Sequence, residues 1–399
     1  MFFHNSCRSF ALSLLGGVAI VTLGGNALAA EPVLQTEQSD VVTLKPYTPH
    51  TILVMDSAGT HAKDGRVYVV DADRGALLGM VQAAYNPNVA MVPDASRFYV
   101  GETTWAHGNR GARYDLLAEY DARTLKLTSD EELPARALIT PKRNSLTLNV
   151  GASYAYVYQM SPSNGVEVVD THAHKVIQSV DLPGCALTYP WGTNGFSSLC
   201  ADGTLANVSL GEDGKASMTH SAVFFAPDKD AVFENSPSVT KTGEAYFLSY
   251  TGNIYPAHLG ANSTVEAPWS LQVGAGMKPA SDASAPFETT WRPGGIQLIA
   301  LHQSDHELYV LMHRGTFWTH KEDGTEVWVY DAQTHKRLRR IPLKKTSNMV
   351  GVTQDDHPLM FTTDTDGDLF VYDAQTGHLL RTIKKLGTSV TFTVAPGEE

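Results

Sequence analysis

The sequence predicts an all-β fold, and within that class a seven-bladed β-propeller. Three observations carry the prediction. A unit of hydrophobic strand, Asp, short turn and second strand returns along the chain; the copies number seven; and no amphipathic helix of any length separates them. Repeats of about 40–50 residues that hold several strands mark propeller architectures. Seven four-stranded blades need about 350 residues at that spacing, and the chain has 399.

The N-terminal segment reads as a targeting signal. Met1 to Phe10 carries Arg8 and no acid, Ala11 to Gly25 is apolar, and Ala27-Leu28-Ala29 places small residues where a signal peptidase reads them. That order of charge, short apolar run and A-x-A site predicts a secretory signal peptide over residues 1–29. Residues 30–45 read as an extended N-terminal extension, free or paired with the last blade, and residues 46–399 as the propeller. No further segment is apolar and long enough to span a bilayer, so an exported, periplasmic chain without a membrane anchor is expected.

Composition narrows the partners. With 30 basic against 42 acidic residues the net charge is −12, and no basic patch stands out, which argues against nucleic acid. The chain is 43% hydrophobic, enough for a large core. Three cysteines exclude a cysteine-rich zinc protein or a disulfide-dense miniprotein. Cys7 leaves with the signal. In an oxidising compartment the remaining Cys185 and Cys200 most simply form one disulfide, and their spacing is not that of a C-x-x-C redox pair.

Five copies of the repeat end in Asp: Val67–Asp71, Leu117–Asp121, Val166–Asp170, Val327–Asp331 and Leu369–Asp373. Two are degenerate, Leu205–Leu210 and Asn253–Leu259. Each follows another β-rich run: Thr51–Met55, Arg97–Gly101, Ser153–Gln159, Gly195–Cys200, Glu244–Tyr250, Glu307–His313 and Pro358–Thr363. Gly, Asp and Asn punctuate the gaps, as hairpins require. The repeat strands are apolar at successive positions, as strands buried on both faces are. Their aspartates are read as turn residues that accept backbone N–H groups, with Gly377 suited to a left-handed position. Val390–Val394 is positioned to supply a ring-closing strand. Trp105–Tyr114 and Val273–Pro293 read as excursions from the blades, and long excursions of this kind commonly carry function.

Catalytic signals are missing. No G-x-S-x-G, H-E-x-x-H or P-loop is present. His302, His306 and His313 straddle a strand and its preceding turn, and no metal site is expected from them. Asp364-Thr365-Asp366-Gly367-Asp368 resembles a fragment of a calcium loop but lacks the spacing and closing Glu of an EF-hand. The six tryptophans are expected in blade or interface packing. The residues themselves point to an exported propeller that binds or supports.

Several strings together sharpen this reading: Trp291-Arg292-Pro293-Gly294-Gly295 before a strand, His320-Lys321 before Val327–Asp331, Arg110-Gly111-Ala112-Arg113-Tyr114-Asp115, Cys200-Ala201-Asp202-Gly203-Thr204-Leu205 and Leu210-Gly211-Glu212-Asp213-Gly214. In this order, over the whole chain after the signal and including the cysteine pair, the sequence resembles the heavy chain of quinoprotein amine dehydrogenases, the methylamine and aralkylamine enzymes. The resemblance implies a non-catalytic heavy subunit with no cofactor or metal of its own. Its partner would be a small cysteine-rich light chain carrying tryptophan tryptophylquinone, in a heterotetramer of two heavy and two light chains. Primary amines would be oxidised to aldehydes and ammonia, with electrons passing to a small copper protein or a cytochrome. In methylamine-type relatives a blade-one loop brings an aromatic side chain to the substrate channel. The corresponding Ser57-Ala58-Gly59-Thr60-His61 has none, so a wider channel, or one lined by another loop near Trp105, is expected. The Leu210–Gly214 string leans towards the aralkylamine branch and bulkier amines. The competing classes are a stand-alone propeller acting as a ligand binder or lactonase-like hydrolase, and a pyrroloquinoline-quinone dehydrogenase, for which no repeated tryptophan docking motif is present.

Overall fold

The computed structural model describes residues 42–212 and 214–398. They form seven antiparallel sheets, each one blade of a propeller. The expected signal peptide and nearly all of the 30–45 extension lie outside the described residues. The described end of that extension meets the second blade and not the last: the Leu44 N–H donates to the Arg123 carbonyl at 2.8 Å.

Blade 1 takes its inner strand from the far end of the chain. Val390–Val394 pairs with Thr51–Asp56, which pairs with Arg66–Asp71 and then Ala76–Gln82. The ring is thus closed by the strand expected to close it. Blade 2 runs Tyr85–Met91, Arg97–Trp105, Arg113–Asp121 and Leu127–Leu133. Blades 3, 4 and 7 repeat this meander from Leu146–Leu148, Cys185–Trp191 and Met349–Val352 outwards. Blade 5 starts at Ser238–Val239, and Trp269–Ser270 adds beside its third strand, Asn253–His258. Inner strands of blades 1 to 5 touch in succession, as do those of blades 6, 7 and 1.

Blade 6 departs from the pattern. Its inner edge is split into Thr290–Pro293 and Ile299–His302, both paired with Glu307–Gly315. The five residues between them, Gly294–Leu298, leave the ladder and reach inwards. There the Gln297 side chain accepts from the Thr393 N–H at 2.8 Å and donates to the Val350 carbonyl at 3.2 Å. Gly294 and Gly295 are required: a Cβ on Gly294 would meet the Glu322 carbonyl at 2.5 Å, and Gly295 has φ +124°.

The core lies between blades. The third strands are buried on both faces, from Val67–Val70 in blade 1 to Leu369–Tyr372 in blade 7, as their continuous apolar pattern requires. The expected excursions shrink on inspection. Trp105 pairs with Arg113, so only residues 106–112 leave the sheet, as the turn of a long hairpin. The Val273–Pro293 stretch begins in a short helix, Leu271–Gly274, and ends in the first inner strand of blade 6.

Candidate functional site

The blade connections divide between the two ends of the propeller. At one end lie the five Asp turns, and they are copies of one another. Asp121 Oδ1 accepts from the Arg123 and Thr124 N–H groups, Asp331 from Gln333 and Thr334, and Asp373 from Gln375 and Thr376. Asp170 does the same with His172 and Ala173, and Asp71 accepts from Arg74. These bonds hold the carboxyls of Asp121, Asp331 and Asp373 below the ordinary range. Four residues after each Asp stands a residue with positive φ: Gly75, Leu125, His174, His335 and Gly377. The repeated aspartates are structural.

At the other end blades 4, 5 and 7 share a glycine turn, at Gly203, Gly252 and Gly367, while the remaining loops vary in length. Here a cleft of ≈ 580 Å³ opens on the axis, lined from five blades by residues including Ser57, Tyr85, Leu138, Ile296, Asp364 and Thr388. The Ser57–His61 segment lies at this mouth, with Ser57 and Gly59 in the wall. It is fixed by the buried Asp56 carboxylate, which accepts from the N–H groups of Ala58 at 2.9 Å and Ser389 at 2.8 Å. Deeper along the axis, Arg143 of the blade 3 entry forms a 3.0 Å ion pair with Glu398, and the cavity beside them is only ≈ 50 Å³.

Tyr85 is the one aromatic residue in the cleft wall among the described residues. It sits on a contorted piece of backbone: Ala84 and Asn86, on either side, have φ +42° and +48°, and the ladder to the next strand is irregular from Tyr85 to Asn88. Left-handed non-glycine residues cost about 1–2 kcal/mol each. Arg136, 3% exposed, holds this backbone. Its guanidinium donates to the carbonyls of Tyr85 and Asn86, to Asn88 Oδ1 at 2.9 Å and to Thr103 Oγ1 at 2.8 Å. Burial pulls its pKa down to about 10, against the field of Asp115. Trp105 packs against Tyr85 in a T-shaped pair, 5.5 Å between ring centroids, and Lys63 Nζ lies 3.6 Å from the Trp105 ring centre. Trp105 therefore supports the wall and Tyr85 forms it.

The calcium-like turn is resolved by a lysine. Lys345 Nζ lies 3.0, 3.3 and 3.6 Å from carboxylate oxygens of Asp364, Asp366 and Asp368, where a cation would sit in a calcium loop. Asp364 and Asp366, through their hydrogen bonds, raise the lysine pKa. The three histidines are dispersed: His302 contacts the Asp355 carbonyl at 3.1 Å, His313 contacts Thr319 Oγ1 at 2.7 Å, and His306 is half-buried, 3.9 Å from Glu244. Among the described residues no group of three or more His, Cys, Asp or Glu could hold a metal. Cys185 and Cys200 are directly cross-strand and bonded through sulfur.

On the same end, Trp291–Gly295 anchors the loop that precedes it. Arg292, 1% exposed, donates to the Ser281 carbonyl at 2.8 Å and to its Oγ at 3.1 Å. The Phe317 N–H donates to the Pro286 carbonyl at 3.0 Å, joining this loop to the 316–323 loop. Next to that joint two large side chains stand in solvent, Phe287 at 85% and Trp318 at 61% exposure. Trp318 is thus not packed within a blade, whereas Trp328 is fully buried.

Sequence reasoning missed Tyr85, Arg136 and Lys345. Tyr85-Asn86-Pro87-Asn88 looks like a turn, and Lys345 lies in a run of basic residues. Arg136 did leave a signal, since a single arginine within Leu133-Pro134-Ala135-Arg136-Ala137-Leu138 is a charge in an apolar segment and demands buried partners.

Comparison with known proteins agrees with this architecture. The solved structure of a functionally unknown protein from Desulfotomaculum acetoxidans superposes with a TM-score of 0.60, covering 87% of this chain and 98% of that one at 11% identity, which shows the fold alone. The methylamine dehydrogenase heavy chain of Methylophilus methylotrophus is 28% identical over 94% of this chain and 91% of its own. That of Paracoccus versutus is 30% identical over 80% of this chain and 73% of its own. The family model for the methylamine dehydrogenase heavy chain matches residues 49–396, all seven blades, and the chain belongs to that family.

Proposed function

We propose that this chain is the heavy, non-catalytic subunit of a periplasmic amine dehydrogenase, and that its long-loop end docks the light chain. The observation that carries the docking surface is the exposed pair Phe287 and Trp318. Phe287 stands on the loop pinned by the buried Arg292 and Trp318 on the loop joined to it through Phe317, at the end of the propeller where the axial cleft opens. Large exposed aromatics on a rigid support are what interface anchors consist of. A stable subunit contact covers more than about 1,000 Å², so the interface would extend from these two rings over the neighbouring loops.

In this reading the light chain supplies tryptophan tryptophylquinone, which accepts two electrons as a primary amine and water become an aldehyde and ammonia. A small copper protein or a cytochrome then takes the electrons. The heavy chain orients and encloses. The cleft walls, from Ser57 to Thr388, would guide the amine, and the Arg143–Glu398 pair would obstruct passage along the axis. The A-x-A signal supports export, and two heavy with two light chains form the expected assembly.

Affinity purification of the tagged chain from its native periplasm tests the proposal. A co-eluting small, cysteine-rich chain with a visible quinone band that bleaches on adding a primary amine is the expected result. The double substitution Phe287→Ser, Trp318→Ser should cut recovery of that chain at least about tenfold, the loss of two interface anchors. A colourless monomer from cells with measured amine-oxidising activity would refute the heavy-subunit reading.

A further inference from the structure

Two non-glycine residues with positive φ flank Tyr85, and a buried arginine is committed to the carbonyls of that same contorted stretch. Strain of this kind persists where the surroundings over-determine it, and it collects at sites that bind or react. Here everything bears on one ring. Arg136 fixes the backbone beneath it, Trp105 packs against it in a T-shaped pair, and Lys63 caps Trp105. The ring contributes to the wall of a ≈ 580 Å³ cleft whose other lining side chains are small, aliphatic or amide and hydroxyl groups, apart from Asp364. Asp364 is already paired with Lys345 at 3.0 Å, so its charge is compensated inside the protein. A cation entering the cleft therefore meets one unspent recognition element, the aromatic face.

We propose that Tyr85 is a specificity-determining residue which binds the incoming amine, as its ammonium ion, through the π-face of its ring. The inference rests on the heavy-subunit reading and adds to it the residue and the chemistry of recognition. Ammonium groups bind aromatic faces through the ring quadrupole, and quaternary ammonium ions are bound the same way. The contact is made by the ammonium ion, before it gives up the proton that frees its nitrogen to react, so it belongs to capture of the amine and not to the chemical step. It should therefore act on KM and leave kcat nearly unchanged. Arg136 and Trp105 are positioning residues that aim the ring.

The test uses the complete heavy–light complex, with methylamine and 2-phenylethylamine as substrates and tetramethylammonium as a cation that cannot be oxidised at a C–NH2 bond. In the wild-type complex tetramethylammonium should inhibit competitively with methylamine. Tyr85→Leu should raise the methylamine KM at least about fivefold with kcat within about twofold, and should abolish that inhibition. Tyr85→Phe, which keeps the ring, should restore most of the affinity. The KM ratio of the two amines should shift in Tyr85→Leu, because only one of them brings an aromatic group of its own. Competitive inhibition needs no variant, so its absence in an active wild-type complex overturns the proposal even if Tyr85→Leu does not fold. An unchanged KM in a folded Tyr85→Leu complex overturns it as well. A wild-type complex that oxidises no primary amine would instead fell the heavy-subunit reading, and this inference with it.

Discussion

At one end of the propeller five turns solve the same problem in the same way. An Asp caps the backbone, a residue four places on adopts positive φ, and the pairing slips between the two residues that precede the Asp, as at Val69/Val70 and Val371/Tyr372. At the other end three connections share a tight turn with a glycine of positive φ, at Gly203, Gly252 and Gly367, but the side chains built around the connections differ. One carries a buried arginine under a strained strand, another an arginine beneath a long loop, another three aspartates closed on a lysine. The strands are continuous from end to end, so the difference does not come from the fold. Repetition marks what the ring needs to close. Divergence, supported by buried charge, marks where the ring is used.

The largest expected effect breaks the irregular end. Arg136→Met would leave the Tyr85 and Asn86 carbonyls and Asn88 Oδ1 without their donor, in a site that excludes water. Removing one member of a buried polar or charged network costs about 3–5 kcal/mol. Urea denaturation of the variant should show a loss of that size. A loss below about 1 kcal/mol would mean that Arg136 does not hold the contorted backbone. No single substitution among the Asp turns should approach it, because each turn is exposed and confined to its own blade.

This division also explains what the sequence made legible. The blades could be read because seven copies average out local ambiguity, and because Asp121, Asp331 and Asp373 carry their turn chemistry within three residues. Ring closure by Val390–Val394 was legible as an apolar strand left over after the seventh copy. The cleft was not. Tyr85, Arg136, Asp364 and Lys345 come from blades 2, 3, 6 and 7 or the segments between them, and only the closed ring brings such residues to one mouth. The Gly294–Leu298 departure from the blade 6 ladder was hidden for a related reason: Gln297 is explained only by partners about fifty and ninety residues away.

A second test sharpens the comparison through pH. Glu102 follows Phe98 and Val100 on the blade 2 face that packs against blade 1, is 8% exposed, and has one carboxylate oxygen without a hydrogen-bond partner. Burial, opposed by Arg136, raises its pKa from 4.5 to about 7. A carboxyl whose folded pKa is raised stays protonated in the fold while the unfolded chain releases the proton. Stability from this group is thus greatest below about pH 4.5 and declines as pH rises towards and past 7. Between pH 5 and 8 the decline should be on the order of 2 kcal/mol. In Glu102→Gln the slope of stability against pH over this interval should flatten by about that amount. An identical slope in the two proteins would show that Glu102 ionises as freely in the fold as in the unfolded chain.

The smallest effect belongs to the regular end, and its sign is opposite. The position four residues after the repeat Asp is glycine in two turns, Gly75 and Gly377, but leucine or histidine in three, although φ is positive in all five. His174, at φ +50°, is the least committed of these: Leu125 packs against the core and His335 stacks on Trp269, while His174 lies 3.8 Å from Glu131 with its side chain 44% exposed. A left-handed conformation costs a non-glycine residue about 1–2 kcal/mol. Glycine escapes that cost but gives up about 0.5–1 kcal/mol in backbone entropy. His174→Gly should therefore stabilise the protein by roughly 0.5 kcal/mol, read as a small upward shift of the denaturation midpoint at unchanged slope. Leu125→Gly should destabilise it, because there the side chain is part of the core. If both substitutions destabilise, the turns are held by their side chains more than by their backbone, and the uniformity of this end is less complete than its hydrogen bonds make it look.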